Sequence, residues 1–591
     1  MFKITRGSEA TLLPFATSML AGRYLLKNET PQDMFERVSC AYADNQDHAQ
    51  RLYGYISKLW FMPATPVLAN GGTERGLPIS CFLNEVPDSM AGIAGTFHEN
   101  TFLASGGGGI GTCWSNVRSI NESIKDRGTS SGIIPFLKTQ DSYTLAISQG
   151  SLRRGSSAAY LDISHPEIEE FIDIRRPTGG DPNRRSLNLH HGVCVSDAFM
   201  QAVQDGATWE LKSPVDGKVT NTVEARDLWI KILNARIETG EPYILYTGNV
   251  DKNRSKVYEA NGLKCKTSNL CIEVMLTTGL DYQDKERTAV CCLSSLNLEY
   301  YDAWKGNTLF IEDIYRFLDN VLEDFIKRAP DAMENAKYSA MMERSVGLGV
   351  MGFHSFLHKK NTPIEGVAAK SWNKQIFKHI RAEADKANLK LADEKGSCPD
   401  AERVGIKARF SNLLAVAPTA SISIIANSTS PAIEPLAANC FTQKTLSGSF
   451  TVKNQYLEKL LTEKGRNGDK VWSSIATNEG SVQHLDFLTP EEKDVFKTAI
   501  EINQMWLIEH AADRQEFIDQ GQSLNIFVKG NVTKKDLHDL HFMAWKKGVK
   551  SLYYCRSVSL QHAEKAPSSI QEKPIEAPVK KPEYDECLAC Q

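Results

Sequence analysis

Helix and strand signals alternate along this chain from about residue 130 to residue 555. Repeated strand–helix units over about 400 residues predict a mostly parallel sheet or barrel with helices outside it. In such barrels the chemistry lies on loops at one end. The predicted elements are an amphipathic segment at His165–Ile174, a helix at Thr222–Ile237 ended by Gly240, a strand at Tyr243–Tyr246, a helix at Ile311–Ile326, a long helix opened by the capping box Thr489–Glu492, and the strand, helix and strand at Ser523–Val528, Thr533–Lys547 and Val549–Tyr554.

Composition is that of an ordinary water-soluble protein. The 591 residues are 41% hydrophobic and 24% charged, which allows a large core. A net charge of only −4 argues against bulk nucleic-acid binding. No run of 18 apolar residues predicts a membrane span, and the N-terminus lacks the apolar region of a signal peptide. We therefore expect a cytoplasmic protein that contacts neither membrane nor nucleic acid.

The cysteine content points to free thiols. Thirteen cysteines in a large chain without a signal peptide favour redox chemistry over a disulfide framework. Only Cys587 and Cys590 have the spacing of a zinc ligand pair, and no second pair stands near them. We expect no metal site in this chain.

The N-terminal third contains a short helical region followed by loops. Residues 1–60 are predicted helical, with Thr30 as an N-cap before Pro31. Ser105–Gly111 holds five glycines in seven residues but lacks the Gly-Lys-Ser/Thr ending of a phosphate-binding loop. The stretch is either a flexible surface loop or backbone that approaches a bound ligand closely.

A thiol between an amide and a carboxylate marks the segment Thr267–Leu276. If the segment is extended, Asn269, Cys271 and Glu273 point to one face because side chains alternate. One alternative is an edge strand with an incidental cysteine. The other is a reactive thiol flanked by an acid/base group and a hydrogen-bonding amide.

The C-terminal segment has a different composition from the rest. Residues 561–586 interleave proline with Glu, Lys and Gln, which predicts a disordered tether. Cys587 and Cys590 stand at its tip. Either they are incidental cysteines in a frayed tail, or they form a mobile dithiol that exchanges with an internal disulfide and then with an external reductant.

Several separated motifs, in order, resemble the large catalytic subunit of class I ribonucleotide reductase. The resemblance covers residues from about 60 to 591. The motifs are Ser80–Leu83, Asn269–Glu273, Val290–Leu298, Pro418–Ser423, Ser551–Ser557 and the terminal Cys587–Cys590 pair.

The resemblance implies a fold and a domain organisation. The fold is a ten-stranded α/β barrel of two five-stranded halves, with a central finger loop that carries Cys271. We expect a helical region at residues 1–60, the barrel with an effector-site insertion at residues 61–558, and a flexible redox tail at residues 559–591.

The resemblance also implies the roles of individual residues. Cys271 is expected to become the thiyl radical that abstracts the ribose 3′-hydrogen, with Glu273 as base and Asn269 as its partner. Redox thiols are expected at Cys81 and Cys291, although the adjacent Cys292 remains an alternative, and at Cys587 and Cys590. Tyr553 and Tyr554 are implied to pass the radical into the barrel, which requires them to lie at a strand end or loop. Substrate contacts are implied at Thr65, Ser80, Gly109, Pro418, Thr419, Ala420, Ser421 and Ile422.

Regulation and partners are implied as well. An allosteric specificity site for dNTP or ATP effectors at a homodimer interface is expected at Asp88, Met90, Arg118, Ile124 and Lys125, the last standing where arginine is common in the family. Cys81 comes too early for an N-terminal ATP-cone, so we expect no dATP switch in the chain's own N-terminus. The expected partners are a radical-generating small subunit with a dinuclear metal cofactor, of iron or manganese, and thioredoxin or glutaredoxin. The chain itself has no Glu-x-x-His pair at the helical spacing of such a metal site.

Two alternative functions stay open at this point. One is the cobalamin-dependent class II reductase, which generates its radical beside the cysteine and needs no tyrosine pair. The other is a thiol–disulfide oxidoreductase that uses Cys587 and Cys590. Reduction of ribonucleotides, with diphosphates preferred to triphosphates as substrate, explains the most motifs.

Overall fold

A computed structural model describes residues 2–7, 9–149, 153–445 and 448–557 of the chain. Its helices are α1 Pro14–Arg23, α2 Pro31–Ala41, α3 Gln46–Ser57, α4 Thr65–Asn70, α5 Met90–Ser105, α6 Ile134–Ala146, α7 Ile168–Ile172, α8 Asp197–Asp205, α9 Ala225–Thr239, α10 Thr247–Lys252, α11 Lys256–Asn261, α12 Tyr301–Trp304, α13 Phe310–Arg328, α14 Glu334–Glu343, α15 Phe353–Lys359, α16 Val367–Lys395, α17 Pro399–Arg403, α18 Ala420–Ile425, α19 Gln455–Glu463, α20 Asp469–Thr477, α21 Pro490–Val495, α22 Gln504–Gln515 and α23 Lys534–Lys546.

The strands are mostly short. They are β1 Phe61–Pro63, β2 Cys81–Glu85, β3 Gly109–Cys113, β4 Ser148–Gln149, β5 Arg153–Arg154, β6 Ser156–Asp162, β7 His190–Val195, β8 Thr208–Lys212, β9 Val219–Glu224, β10 Tyr243–Tyr246, β11 Gly279–Leu280, β12 Glu286–Arg287, β13 Ala289–Asn297, β14 Val346–Met351, β15 Cys440–Thr445, β16 Gly448–Lys453, β17 Ile526–Val528, β18 Ser551–Leu552 and β19 Cys555–Ser557.

The main strands form a barrel of two halves. In the first half β2, β3, β6, β7 and β10 are parallel neighbours in that order. The two halves meet antiparallel at both joints, because β13 pairs with β2 and β18 pairs with β10. The second half continues from β13 to the parallel β14, then through bridges at Leu348–Leu414 and Val416–Gln522 to the parallel pair β17 and β19. The α/β barrel expected from the sequence is confirmed.

Local signals explain where several elements begin and end. Thr30 and Asp33 form a capping box at the start of α2, and Pro31 occupies the first helical position. Gly240 ends α9 in the left-handed region at φ 80°, which glycine adopts without strain. Strand β13 is buried along its whole length, as a strand shared by both halves of a barrel should be.

Several predicted elements differ from the structure in their bounds. The strands expected at Ser523–Val528 and Val549–Tyr554 are the shorter β17 and β18. The helix expected at Thr222 begins at Ala225, because the preceding residues form β9 and pair with β8 in a hairpin. The capping box at Thr489 is present, but it opens a helix of six residues and not a long one. In the amphipathic segment at residues 165–174, only α7 is helical. Capping and periodicity are local signals, so they locate an element better than they fix its length.

None of the helices in the described residues combines the length and the apolar character that a bilayer crossing requires.

Candidate active site

The segment that carries Cys271 is a buried turn. Residues 263–278 form no helix or strand, and Ile272 has a φ of 63°. The segment is therefore not extended, and Cys271 lies in a loop, as the resemblance implied. Asn269, Cys271 and Glu273 are brought together by the turn, since the amide of Asn269 donates a hydrogen bond to Glu273 Oε1 over 3.0 Å. All three side chains are fully buried.

Both barrel halves hold this turn, which we call the finger. From the first half, Tyr160 of β6 donates its hydroxyl proton to the carbonyl oxygen of Asn269 over 2.5 Å. From the second half, Ser523 Oγ lies 2.6 Å from the carbonyl oxygen of Cys271 and 3.0 Å from Glu273 Oε2. The finger therefore runs through the middle of the barrel, and the buried Glu273 carboxylate has polar partners at both oxygens.

The glycine-rich stretch lies against the finger. Gly109 and Gly111 belong to β3 and are not part of a surface loop. A Cβ at Gly111 would stand 1.8 Å from the carbonyl oxygen of Ser268. The absence of a side chain at Gly111 therefore lets the backbone of β3 approach the finger closely.

Cys81 and Cys291 are register partners across the antiparallel pair β2–β13. Directly opposed Cα atoms in such a pair lie about 4.5–5.5 Å apart, a separation that a disulfide can bridge. Cys292 is in register with Val346 of β14 instead. Burial raises the pKa of both Cys291 and Cys292, and the Glu273 charge adds to the effect at Cys291 while the Asp319 charge adds to it at Cys292.

Tyr553 and Tyr554 form a contacting aromatic pair between β18 and β19. Their ring centroids are 4.2 Å apart at an interplanar angle of 48°. The pair thus lies in the break between two strands. Adjacent tyrosines in a regular strand would point to opposite faces, so a contacting pair needs such a break. Tyr553 is buried, while Tyr554 is partly exposed.

A third tyrosine, Tyr243 of β10, completes the aromatic group. Its ring centroid is 4.8 Å from that of Tyr553 and 5.2 Å from that of Tyr554. Burial raises the pKa of Tyr243, and the charges of Glu241, Tyr554 and Cys271 raise it further. Sequence reasoning gave this residue only a place in a strand, and nothing in that strand marks it as a neighbour of the tyrosine pair.

The partly exposed end of the aromatic group is next to a charged cluster. His190 Nδ1 lies 3.3 Å from the hydroxyl of Tyr554 and 2.6 Å from Glu241 Oε1. Arg175 Nε lies 3.6 Å from Glu241 Oε2. Despite burial, the Arg175 guanidinium and the hydrogen bonds from His190 and His191 hold the pKa of Glu241 well below its usual range. A carboxylate thus fixes the imidazole beside Tyr554.

The serine- and threonine-rich turn begins a short helix, as predicted. Thr419 precedes α18 at a φ of 55°, and its Oγ1 accepts a hydrogen bond from the backbone N–H of Ala432 over 2.7 Å.

The other expected substrate contacts lie in different elements. Thr65 opens α4, and its Oγ1 is 3.0 Å from the hydroxyl of Tyr24. The carbonyl oxygen of Ser80 accepts a hydrogen bond from the N–H of Gly109 over 2.7 Å, which places these two residues side by side.

Two of the five expected effector-site residues are in direct contact. Arg118 Nη2 lies 2.7 Å from Asp88 Oδ2, and the backbone N–H of Arg118 donates to Asp88 Oδ1 over 3.1 Å. The side chains of Met90 and Ile124 are 70% and 37% exposed, so apolar surface lies open near this ion pair. Lys125 begins a 3-10 turn at a φ of 48°.

Family comparisons identify the chain. The ribonucleotide reductase barrel domain matches residues 79–408 and 401–555, and the ribonucleotide reductase all-alpha domain matches residues 12–76. The chain belongs to the ribonucleotide reductase large-subunit family. It is 40% identical to the ribonucleoside-diphosphate reductase large subunit of Invertebrate iridescent virus 3, over 92% of this chain and 94% of that protein. It is 30% identical to the large subunit of Caenorhabditis elegans, over 98% of this chain and 81% of that one.

A solved ribonucleotide reductase has the same fold. The class Id α subunit of Actinobacillus ureae superposes with a TM-score of 0.82 at 34% identity, covering 93% of this chain and 97% of that one. This likeness favours a class I enzyme over the cobalamin-dependent class II alternative. In the described part of this reductase chain, no group of three His, Cys, Asp or Glu side chains is arranged to hold a metal ion. Cys587 and Cys590 lie outside the described residues.

Proposed function

We propose that this chain is a catalytic subunit that reduces ribonucleoside diphosphates to 2′-deoxyribonucleoside diphosphates, with a radical supplied by a separate small subunit. The observation that carries the proposal is the buried turn that holds Cys271 between Asn269 and Glu273, with the Glu273 charge acting on Cys291, the register partner of Cys81. The names of its relatives support the choice of diphosphate substrates.

The finger would perform the radical chemistry. A Cys271 thiyl abstracts the ribose 3′-hydrogen reversibly, because S–H and activated C–H bonds are similar in strength. Glu273 takes the proton of the 3′-hydroxyl, and the 2′-hydroxyl then leaves as water. The hydrogen bonds from Asn269 and Ser523 hold the carboxylate in place for this step.

Cys81 and Cys291 would supply the reducing equivalents. Together the two thiols give two electrons and two protons and become a disulfide, while the ribonucleotide loses its 2′-oxygen as water. Cys271 returns its hydrogen to the 3′ carbon and is again a thiyl radical. The next turnover requires the disulfide to be reduced, a role that we assign to Cys587 and Cys590 and, through them, to thioredoxin or glutaredoxin.

The aromatic group would carry the radical to Cys271. Tyr554 is at the partly exposed end and Tyr553 at the buried end, so the radical would enter from the small subunit through Tyr554. Tyr243, which lies against both rings, would shield the path from water.

Binding sites for substrate and effector complete the proposal. The substrate would contact Thr65, Ser80 and Gly109, with its diphosphate at Pro418–Ile422, where hydroxyls and backbone N–H groups meet at a helix start. Effector dNTP or ATP would bind beside Asp88 and Arg118 at a homodimer interface, with Met90, Ile124 and Lys125 around it.

Replacing Cys271 tests the proposal directly. Cys271→Ser should abolish turnover of a ribonucleoside diphosphate with the small subunit present and dithiothreitol as reductant, because a hydroxyl cannot replace the thiyl. Cys398→Ser, a buried cysteine outside the site, should retain turnover. Turnover by Cys271→Ser at the wild-type rate would refute the assignment.

A further inference from the structure

A cavity of about 430 Å³ lies beside the residues that lead into the finger. Its lining includes Cys113 and Asp162, which are the last residues of β3 and β6, and Lys264 and Lys266. The redox and substrate residues Cys81 and Gly109 are the first residues of β2 and β3. A five-residue strand spans about 13 Å, so the cavity is at the opposite end of these strands from the proposed active site.

Lysine side chains give the cavity a cationic side. Lys212, Lys264 and Lys266 all line it. Lys212 lies 3.0 Å from the exposed carboxylate of Glu210, and Lys266 lies 3.1 Å from Glu85. Lys264 is exposed and forms no ion pair with any of the described residues. A free ammonium group in a concave site attracts an anion electrostatically.

The remaining polar groups suit hydroxyl-bearing ligands. Ser115, Ser164 and Thr247 contribute hydroxyls, and the carboxylates of Asp162 and Asp251 contribute acceptors. Burial raises the pKa of Asp162. The volume falls in the range of small-molecule sites, roughly 300–1,000 Å³.

One buried carboxylate connects this cavity to the finger. Glu85 Oε2 accepts hydrogen bonds from Lys266 Nζ over 3.1 Å and from Asn116 Nδ2 over 2.8 Å. Its Oε1 accepts a hydrogen bond from the hydroxyl of Thr278 over 2.6 Å. Lys266 and Thr278 stand on the two sides of Cys271 in the chain, so Glu85 ties both ends of the finger together.

We propose that the cavity is a binding site for a small phosphorylated ligand whose phosphate contacts Lys264 and Lys266, and that its occupancy alters the finger. An anion at Lys266 competes with Glu85 for the ammonium group and so loosens one of the two ties. Binding is independent of the function proposed above, whereas the effect on turnover rests on it.

Lysine footprinting tests binding without any activity. Acetylation of Lys264, read by mass spectrometry, should slow about threefold at a probe concentration of twice the dissociation constant. The probes are inorganic pyrophosphate and AMP, at constant free Mg²⁺, with the exposed Lys256 of α11 as an internal control. Stronger protection by AMP indicates a nucleotide ligand, and stronger protection by pyrophosphate indicates a bare phosphate ligand. Absence of protection at Lys264, or equal protection at Lys256, overturns the proposal.

Turnover tests the coupling to the finger. With substrate and effector saturating, pyrophosphate or AMP should change the wild-type rate, Lys264→Ala should lose that response, and Lys256→Ala should keep it. A response that persists in Lys264→Ala assigns the effect to another site and overturns the coupling. A chain that shows Lys264 protection but no turnover under any condition contradicts the proposed function and leaves the binding site intact.

Discussion

The amide of Asn269 donates a hydrogen bond to the carboxylate of Glu273 across the turn that carries Cys271. The bond spans 3.0 Å between residues four positions apart in a segment without helix. It exists because Ile272 takes a left-handed conformation, which turns the chain back on itself. The thiol, amide and carboxylate therefore form one buried group.

Ser523 should matter to the rate more than to substrate affinity. Ser523→Ala removes the hydroxyl near Glu273 Oε2 and the carbonyl oxygen of Cys271. A hydrogen bond to a charged group is worth about 1.5 kcal/mol, so kcat should fall about tenfold with KM unchanged. Steady-state kinetics measure this, with the buried Ser57→Ala as control. An unchanged kcat would show that Ser523 does not position the carboxylate.

Gly111 should tolerate no side chain. Gly111→Ala places a Cβ against the carbonyl oxygen of Ser268, at 1.8 Å, so the finger or β3 must shift. We expect activity to be lost and the free energy of unfolding to fall by about 1–3 kcal/mol. Gly54→Ala in α3, where a Cβ meets nothing within 4 Å, should be neutral or slightly stabilising. Denaturant unfolding compares the two, and equal stability would contradict the close contact.

Two neighbouring cysteines should behave differently when each is replaced. Cys291→Ser should abolish multiple turnover with dithiothreitol, because Cys291 is the register partner of Cys81. Cys292→Ser should retain it, because Cys292 is in register with Val346 on another strand. Equal loss in the two variants would reopen the choice between them.

Removing the tyrosine hydroxyls one at a time should distinguish the residues that transfer the radical from a residue that only packs beside them. Phenylalanine keeps each ring but has no O–H bond to oxidise, so Tyr553→Phe and Tyr554→Phe should lose turnover driven by the small subunit. Tyr243→Phe should retain it, since Tyr243 is proposed only to shield the pair. Thermal unfolding shows whether the variants fold. Loss of turnover in Tyr243→Phe alone would place Tyr243 on the radical path.

Glu99 should make stability depend on pH. Burial raises the pKa of Glu99 from 4.5 to about 7. Between these values the native state binds more protons than the unfolded state, so the free energy of unfolding falls as pH rises from 4.5 to 7. The expected fall is about 3 kcal/mol and is complete above the folded-state pKa.

Glu99→Gln should make the fall in unfolding free energy between pH 4.5 and 7 smaller by about 3 kcal/mol, while Glu74→Gln, at an exposed site, should leave it unchanged. Burial also raises the pKa of Glu343 to about 7, so the variant keeps the contribution of that carboxyl. Urea unfolding at several pH values provides the measurement. The same pH dependence in Glu99→Gln and wild type would show that another group is responsible.

From the sequence by itself, strand–helix alternation predicted a mostly parallel sheet or barrel, and capping residues located the helix starts at Thr30 and Thr489, because these signals depend on neighbours in the chain. The family and its barrel followed from the resemblance of several separated motifs taken together, of which the segment around Cys271 is one. The tertiary structure decided that Asn269 and Glu273 meet through a turn, that Gly111 makes room for the finger, and that Tyr243 joins Tyr553 and Tyr554. The residues that hold this turn, Tyr160 and Ser523, and the contacts of Gly111 and Tyr243 come from segments far apart in the sequence. No local propensity encodes which of these segments become neighbours when the barrel closes.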